Sequence, residues 1–404
     1  MKIIAQKYGG SSVATPDKIR EIAAKVKVRV DQGYKLAVVV SAMGDATDDL
    51  IDLAGKISEN PSAREMDMLL STGEQVTIAL FSMALHTLGL DAVSLTGAQA
   101  GILTDSAFRK AKIQSINPAR LLKEFEKNEV VVVAGFQGVD EEQNISTLGR
   151  GGSNLSAVAI AAALKCECLE NYTDVEGVFT ADPRLVKSAR KINELSFDEM
   201  LEMASSGTAV IQARAIECAK KYNMPIWVRS TFGDNIGTLI KEEDENMEQV
   251  LIRSVALDKK EAKVTLKAVP DRPGIAADVF GLIGEKNINV DMIVQNSSSH
   301  GTTDISFTAP KEDLAEMMET ARQIAKKLGS GEVDVNPSVA KVSIIGVGMR
   351  SHAGVAARMF KILADNGVNI DMISTSEIKI SVVVHEKDGD KAVQALHQGF
   401  ELGK

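Results

Sequence analysis

Apolar residues over the first 240 positions fall into two alternating textures. Short runs rich in Val and Ile predict β-strands at Ile3–Gln6, Leu36–Val40, Ala92–Leu95, Val130–Ala134, Cys168–Tyr172 and Ile226–Arg229. Between them, apolar residues recur every three or four over Asp17–Val30, Thr47–Ile57, Arg64–His86, Asn117–Lys127, Ser153–Leu164 and Ala209–Lys221. That is the period of an amphipathic helix. Uninterrupted apolar strands alternating with helices predict an α/β sandwich around a mainly parallel sheet, buried on both faces. Turn residues punctuate the strand ends, at Gly9-Gly10, Gly44, Gly97, Gly135 and Gly149–Gly152.

The texture changes near Lys241. Lys241-Glu-Glu-Asp-Glu-Asn246 is a charged stretch suited to a linker, and beyond it the chain repeats itself at an offset of 80. Over 274–293 and 354–373, eight of twenty positions are identical, including Gly274/Gly354, Phe280/Phe360, Asn289/Asn369 and Asp291/Asp371. Each copy reads as strand, Gly turn, helix, Asn-containing turn, strand, strand, helix, which predicts a ferredoxin-like βαββαβ unit. Two copies are too few for a solenoid and fit a paired regulatory or dimerisation module. Three parts are expected: 1–245, 246–340 with a strand preceding the first unit, and 341–404.

Composition narrows the function classes. Lys+Arg 46 against Asp+Glu 55 leaves a net charge of −9, a poor match for nucleic acid or an anionic membrane. No apolar run reaches ~18 residues, so no membrane span is expected. Ile3-Ile4-Ala5, ending at Gln6 and Lys7, is too short for a signal peptide. Cys166, Cys168 and Cys218 are too few for a disulfide framework and suit a reducing, cytoplasmic location. The five histidines do not cluster, so neither a metal site nor a histidine-based triad is expected.

Two glycine loops carry the candidate chemistry. Lys7-Tyr8-Gly9-Gly10-Ser11-Ser12 follows the first strand; adjacent glycines let backbone N–H groups approach an anion, and Lys7 adds a point charge. Leu148-Gly149-Arg150-Gly151-Gly152-Ser153-Asn154 opens an Ala-rich helix, and Arg150 can fork onto a carboxylate or phosphate. Both loops follow strands, so they are expected on one edge of the sheet around a small anionic substrate. Ser41-Ala-Met-Gly-Asp-Ala-Thr47, Ser71-Thr-Gly-Glu74 and the polar stretch Tyr172–Arg184 join them. Glu74 is the most informative, because a carboxylate in an apolar helix needs a partner if buried.

Taken in order along the chain, Lys7-Tyr-Gly-Gly-Ser-Ser, Ser41-Ala-Met-Gly, Ser71-Thr-Gly-Glu74, Leu148-Gly-Arg-Gly-Gly-Ser153 and Tyr172-Thr-Asp…Thr180-Ala-Asp-Pro-Arg184 resemble the bacterial aspartokinases, and the paired C-terminal units look like ACT domains. The resemblance implies an amino-acid kinase-like αβα sandwich followed by two ferredoxin-like ACT units. It implies ATP with Mg2+ as phosphoryl donor and the β-carboxylate of L-aspartate as acceptor, the entry to lysine, threonine and methionine biosynthesis. Lys7, Gly9 and Gly10 would hold the transferring phosphoryl group. Thr47, Glu74, Arg150, Gly151, Gly152 and Ser153 would bind aspartate. Tyr8, Ser41, Thr173, Asp174 and the run Phe179, Thr180, Ala181, Asp182, Pro183 and Arg184 would line the ATP site. In the ACT pair, Asp271, Pro273, Gly274, Asn289, Asp291 and Gln295 match one effector set for lysine or threonine. Asn369, Ile370, Thr375, Ser376 and Glu377 match the second. A homodimer or dimer of dimers through the ACT units is the implied assembly.

Two departures from the family pattern fall on catalytic positions. The family motif ends Gly-Gly-Ser-Asp, whereas residue 154 is Asn; a family lysine is replaced in Gly207-Thr208-Ala209-Val210. Ala98 and Gln212-Ala213 differ at positions that vary in the family. The catalytic departures admit a second reading: a weak or silent homologue that keeps its pockets as an amino-acid sensor or regulatory subunit.

Overall fold

Eight strands build the first sheet of the computed structural model. It describes residues 2–208, 210–233, 235–243, 252–286, 288–296, 301–329, 332–351 and 354–404. In spatial order the strands are Glu194–Ser196, Thr238–Lys241, Ile226–Ser230, Leu169–Thr173, Ile3–Tyr8, Lys35–Val40, Val130–Ala134 and Ala92–Leu95. The six on the Ala92–Leu95 side, from Ile226–Ser230 onward, are mutually parallel, and Thr238–Lys241 runs antiparallel to its neighbour Ile226–Ser230. The expected sandwich is therefore present, with its strands placed within two residues of the apolar runs.

Strand alternation divides the core. Ile4, Tyr8, Leu36, Val38, Val40 and Val132 face one way, against Ile19, Ile22 and Val26 of helix Pro16–Asp31 and Ile78, Phe81 and Leu85 of helix Ala63–Thr87. Each fully buried Val, Leu or Phe there contributes about 1.5–3 kcal/mol. The opposite face, which carries Ala5, Lys7, Ala37 and Val39, packs beneath helix Gly152–Ala163. Thr15 starts the first helix, its hydroxyl accepting from Lys18 N at 3.3 Å ahead of Pro16. Helix Ala63–Thr87 is long and apolar enough to cross a membrane, yet it buries Asp67 and Glu74 and serves the sheet as a core helix.

Several short elements are absent from the periodicity reading. Ile113–Ile116, Ile102–Thr104, Gln137–Val139 and Ile145–Thr147 form a separate four-stranded sheet, and helix Phe197–Ser205 precedes helix Ala213–Tyr222. Strands of three or four residues offer too few positions for a period to register.

Packing divides the chain into two units. The first holds residues up to 178, 191–204 and 210–243; the second holds 179–190, 205–208 and the chain from 252 onward. Two four-stranded sheets build the second unit. Ile293–Gln295, Thr302–Pro310, Glu261–Pro270 and Val333–Asn336 form one of them, in that order. Ser254–Asp258, Val339–Ile345, Lys379–His385 and Met372–Thr375 form the other. Their helices Ile275–Glu285 and Val355–Asp365 keep the offset of 80, each entered through a glycine at φ 92° or 91°. The strand expected to precede the first repeat belongs elsewhere: Ser254–Asp258 pairs antiparallel with Val339–Ile345 and completes the second repeat's sheet. The first repeat is thus inserted between the second repeat's edge strand and its remainder. Reciprocal ion pairs join the repeats, Lys263 to Asp371 at 2.9 Å and Lys341 to Asp291.

Candidate active site

In-register parallel pairing ends Ile3–Tyr8, Lys35–Val40, Val130–Ala134 and Leu169–Thr173 at one edge, so the loops that follow them converge there. Ser41 N donates to Tyr8 O at 3.2 Å and Gly44 N to Gly10 O at 3.1 Å, binding the first two loops together. Gly73 lets helix Ala63–Thr87 approach them, since a Cβ there would lie 2.8 Å from the Ala42 Cβ. That approach delivers Glu74, whose Oε1 accepts from Ala42 N at 3.1 Å. Gly135 does the same for the second glycine loop: its Cβ would stand 2.8 Å from the Ser153 Cβ. The structure thus brings together Lys7, Gly9, Gly10, Ser41, Thr47, Glu74, Ser153, Thr173 and Asp174 in the first unit.

The electrostatics of this edge are unusual. Lys7 is 9% exposed, and burial lowers its pKa to about 8, with the nearby Asp174 charge pulling the other way. No described protein group accepts a hydrogen bond from its ammonium. Glu74 is 3% exposed, and burial pushes its pKa up to about 7 against the stabilising Ala42 N–H. Its Oε2 is buried without a hydrogen-bond partner, and so is Oδ1 of Asn154 in the first turn of helix Gly152–Ala163. A buried donor and buried acceptors left open at one strand edge suit a ligand that carries both charges.

The second glycine loop is held from behind. Asp67 is fully buried and accepts from Arg109 N at 2.9 Å, Thr147 N at 2.7 Å and Thr147 Oγ1 at 2.7 Å. Arg214 donates to Leu148 O at 2.7 Å and Ala111 O at 3.0 Å. Gln212 lies against Gly151, whose φ is 69°. Asp67 and Arg214 escaped sequence reasoning, although Asp67 carried a signal, seven residues before Glu74 on the same helical face; Gln212 stood out only as a departure from the family pattern. Arg150 stands exposed on the loop, ahead of buried Gly152 and Ser153.

Other expected residues fall differently. The Tyr8 ring is buried on the opposite face of the sheet, stacked on Tyr172 at 4.8 Å, so only its main chain reaches the loops. Phe179–Arg184 packs in the second unit: Thr180 Oγ1 meets His397 Nε2 at 2.9 Å, Ala181 enters that unit's core, and Asp182 pairs with Arg184 at 2.7 Å. Thr180 and Ala181 therefore commit their side chains to packing and not to a nucleotide. Ala209 lies outside the described residues.

The two effector sets occupy matching places in the repeats. Asp271, Pro273, Gly274, Asn289, Asp291 and Gln295 are exposed around one helix entry and edge strand; Asn369, Thr375, Ser376 and Glu377 are their exposed counterparts, with Ile370 half-buried. Asp291 is already engaged by Lys341, a fully buried ammonium that also donates to Ser205 O at 3.2 Å.

Sandwich, glycine loops and paired βαββαβ units together define a small-molecule kinase with a regulatory module. The amino acid kinase family profile matches residues 2–230, and ACT domain profiles match 264–326 and 342–400. The aspartate kinase Ask_LysC of Stutzerimonas stutzeri is 52% identical over 403 residues, spanning 100% of this chain and 98% of that protein. Among solved structures, E. coli aspartokinase III with aspartate and ADP superposes with a TM-score of 0.83 at 26% identity, covering 98% of this chain and 99% of that one. The same enzyme with lysine and aspartate gives a TM-score of 0.74 at 26% identity, with the same coverage. The chain belongs to the aspartokinases of the amino acid kinase family.

Proposed function

We propose that the chain transfers the γ-phosphoryl group of ATP to the β-carboxylate of L-aspartate, yielding 4-phospho-L-aspartate and ADP. The observation that carries this reading is the buried, acceptor-free ammonium of Lys7 at the glycine loops, on the same sheet edge as the loop that holds Glu74 with one carboxylate oxygen open. A carboxylate oxygen of aspartate attacks Pγ, the bond from Pγ to the β,γ-bridging oxygen breaks, and ADP leaves with the electron pair. The acceptor is already ionised, so no general base is needed and catalysis rests on positioning and charge stabilisation. Lys7 and the N–H groups of Gly9 and Gly10 hold the phosphoryl oxygens. Arg150 takes a substrate carboxylate, Glu74 the α-ammonium, and Thr47 and Ser153 the remaining polar atoms; Ser41, Thr173 and Asp174 border the nucleotide.

Among the described residues no three acidic or imidazole groups cluster as metal ligands, which suits Mg2+ held mainly by phosphates and water with Asp174 close by. When bound, the ion neutralises phosphate charge. The second reading, a silent sensor, gains nothing from the comparisons.

Regulation follows from the second unit. Lysine, threonine or both bind the exposed loops around Asp291 and Asn369, as lysine is named with the E. coli enzyme. The α-ammonium of such an effector competes with Lys341 for Asp291 and loosens the grip of Lys341 on Ser205. A coupling of about 1–3 kcal/mol is typical of such linkage. Exposed Ile293 and Ile373, equivalent in the two repeats, suit pairing into a homodimer or dimer of dimers. The reading is tested by ADP release with L-aspartate, L-glutamate and D-aspartate as acceptors, each with and without lysine and threonine. Release with L-aspartate alone is expected, and equal rates with all three acceptors would overturn it.

A further inference from the structure

Asn171 is the buried polar residue that the kinase reading leaves unused. It sits in the middle of Leu169–Thr173, in register with Lys7 on one neighbouring strand and Val228 on the other. In-register residues of parallel strands project to the same face, so Asn171 shares the Lys7 face beneath helix Gly152–Ala163. It is 2% exposed, and neither Nδ2 nor Oδ1 has a hydrogen-bond partner.

The opposite face of the same strands shows how this protein treats buried polar groups that serve structure alone. There Glu170 accepts from Gln6 Nε2 at 2.8 Å and Tyr172 Oη at 3.2 Å, and it pairs with Arg29 and Arg229. Among the described residues of these strands, that face leaves no oxygen of Glu170 open and only Nε of Arg229 without a partner, whereas on the Lys7 face both amide atoms of Asn171 stay open, with Oδ1 of Asn154 open in the helix that covers it. Leaving a buried amide unpaired is unfavourable, and an apolar side chain would fill this position without that penalty. Unpaired groups beside an ammonium that lacks an acceptor fit a site completed by a ligand.

We propose that Asn171 is a catalytic residue of the phosphoryl transfer, its Nδ2 donating to a γ-phosphoryl oxygen that Lys7 holds and its Oδ1 accepting from the Lys7 ammonium. This rests on the kinase reading above. The amide transfers no proton and breaks no bond; it adds a neutral donor to the positive charge of Lys7. A neutral donor does not titrate, so the alkaline limit of the reaction is left to Lys7.

The test uses the full-length protein with Asn171→Leu, which keeps the branched shape without polar atoms. The expected kcat is about 10–100-fold lower, the loss of one donor to a charged group, with the KM for L-aspartate unchanged within about twofold. Calorimetry separates contact from packing: the β,γ-imido analogue of ATP binds about 10-fold more weakly and ADP binds as before, because only the analogue carries the γ-phosphoryl group. Asn171→Ser, which needs no extra room, shows the same analogue-to-ADP split, and Asn171→Asp moves the alkaline limb of the pH profile upward by placing a carboxylate beside Lys7. An unchanged kcat together with an unchanged analogue-to-ADP affinity ratio in both Leu and Ser variants overturns the proposal. If the parent chain forms no acyl phosphate, the kinase reading fails instead, and the affinity ratio still reports on Asn171.

Discussion

Glu74→Gln separates what the site costs the fold from what it gives to binding. The Glu74 carboxyl titrates near pH 7 when folded, against a usual value of 4.5, because it is buried with one oxygen unpaired. The sign follows directly: a raised folded pKa means stability that is present at low pH and lost as pH rises through 7. The full difference corresponds to about 3 kcal/mol at 1.36 kcal/mol per unit, and roughly 2.5 kcal/mol of it falls between pH 5 and pH 8.5. Gln keeps the Oε1 acceptor for Ala42 N and, like the protonated acid, leaves one donor unpaired, so the pH dependence isolates ionisation. The assay is urea unfolding followed by the fluorescence of Trp227, the single tryptophan, which lies on strand Ile226–Ser230 of the same sheet. The variant should gain about 2.5 kcal/mol relative to the parent on going from pH 5 to pH 8.5. Binding of L-aspartate should weaken at least 10-fold over the same range, through loss of a charge-assisted contact. A stability difference that does not change with pH would refute the reasoning.

Other outcomes follow from the same geometry. The pH profile of kcat/KM should be narrow, with an acid limb near pH 7 from Glu74 and an alkaline limb near pH 8 from Lys7; a flat profile from pH 6 to 9 would contradict both assignments. Asp67→Ala removes three accepted hydrogen bonds behind the second glycine loop and should destabilise the protein by about 3–5 kcal/mol in denaturant titration. Lys341→Met leaves Asp291 free and cuts the tie to Ser205. Inhibition by lysine or threonine should weaken at least fivefold in rate assays, while the uninhibited kcat stays within twofold.

Much of this architecture was legible in the sequence because burial writes itself into period. Val130–Ala134 is five apolar residues in a row because both faces of its strand are covered. The repeat at offset 80 was equally plain, since the two helices perform the same packing. The ownership of Ser254–Asp258 was not, because pairing joins strands that 80 residues of inserted chain keep apart in sequence. The loops were located from Gly and polar clusters, but the direction of a side chain depends on register, so Tyr8 faces the core although it sits between Lys7 and Gly9. Asn171 was invisible, and Asp67 marked only by its spacing from Glu74, for a related reason: a single polar residue inside an apolar element gains meaning only when its partners, or their absence, are known.

Phosphoryl transfer onto a carboxylate despite Asn154 is what most needs testing in this protein. The most direct measurement is hydroxylamine trapping of the acyl phosphate with ATP, with and without L-aspartate. Aspartyl hydroxamate should form in step with ADP, and only when L-aspartate is present. No hydroxamate above the no-enzyme background, at saturating ATP and aspartate near pH 7.5, would contradict it.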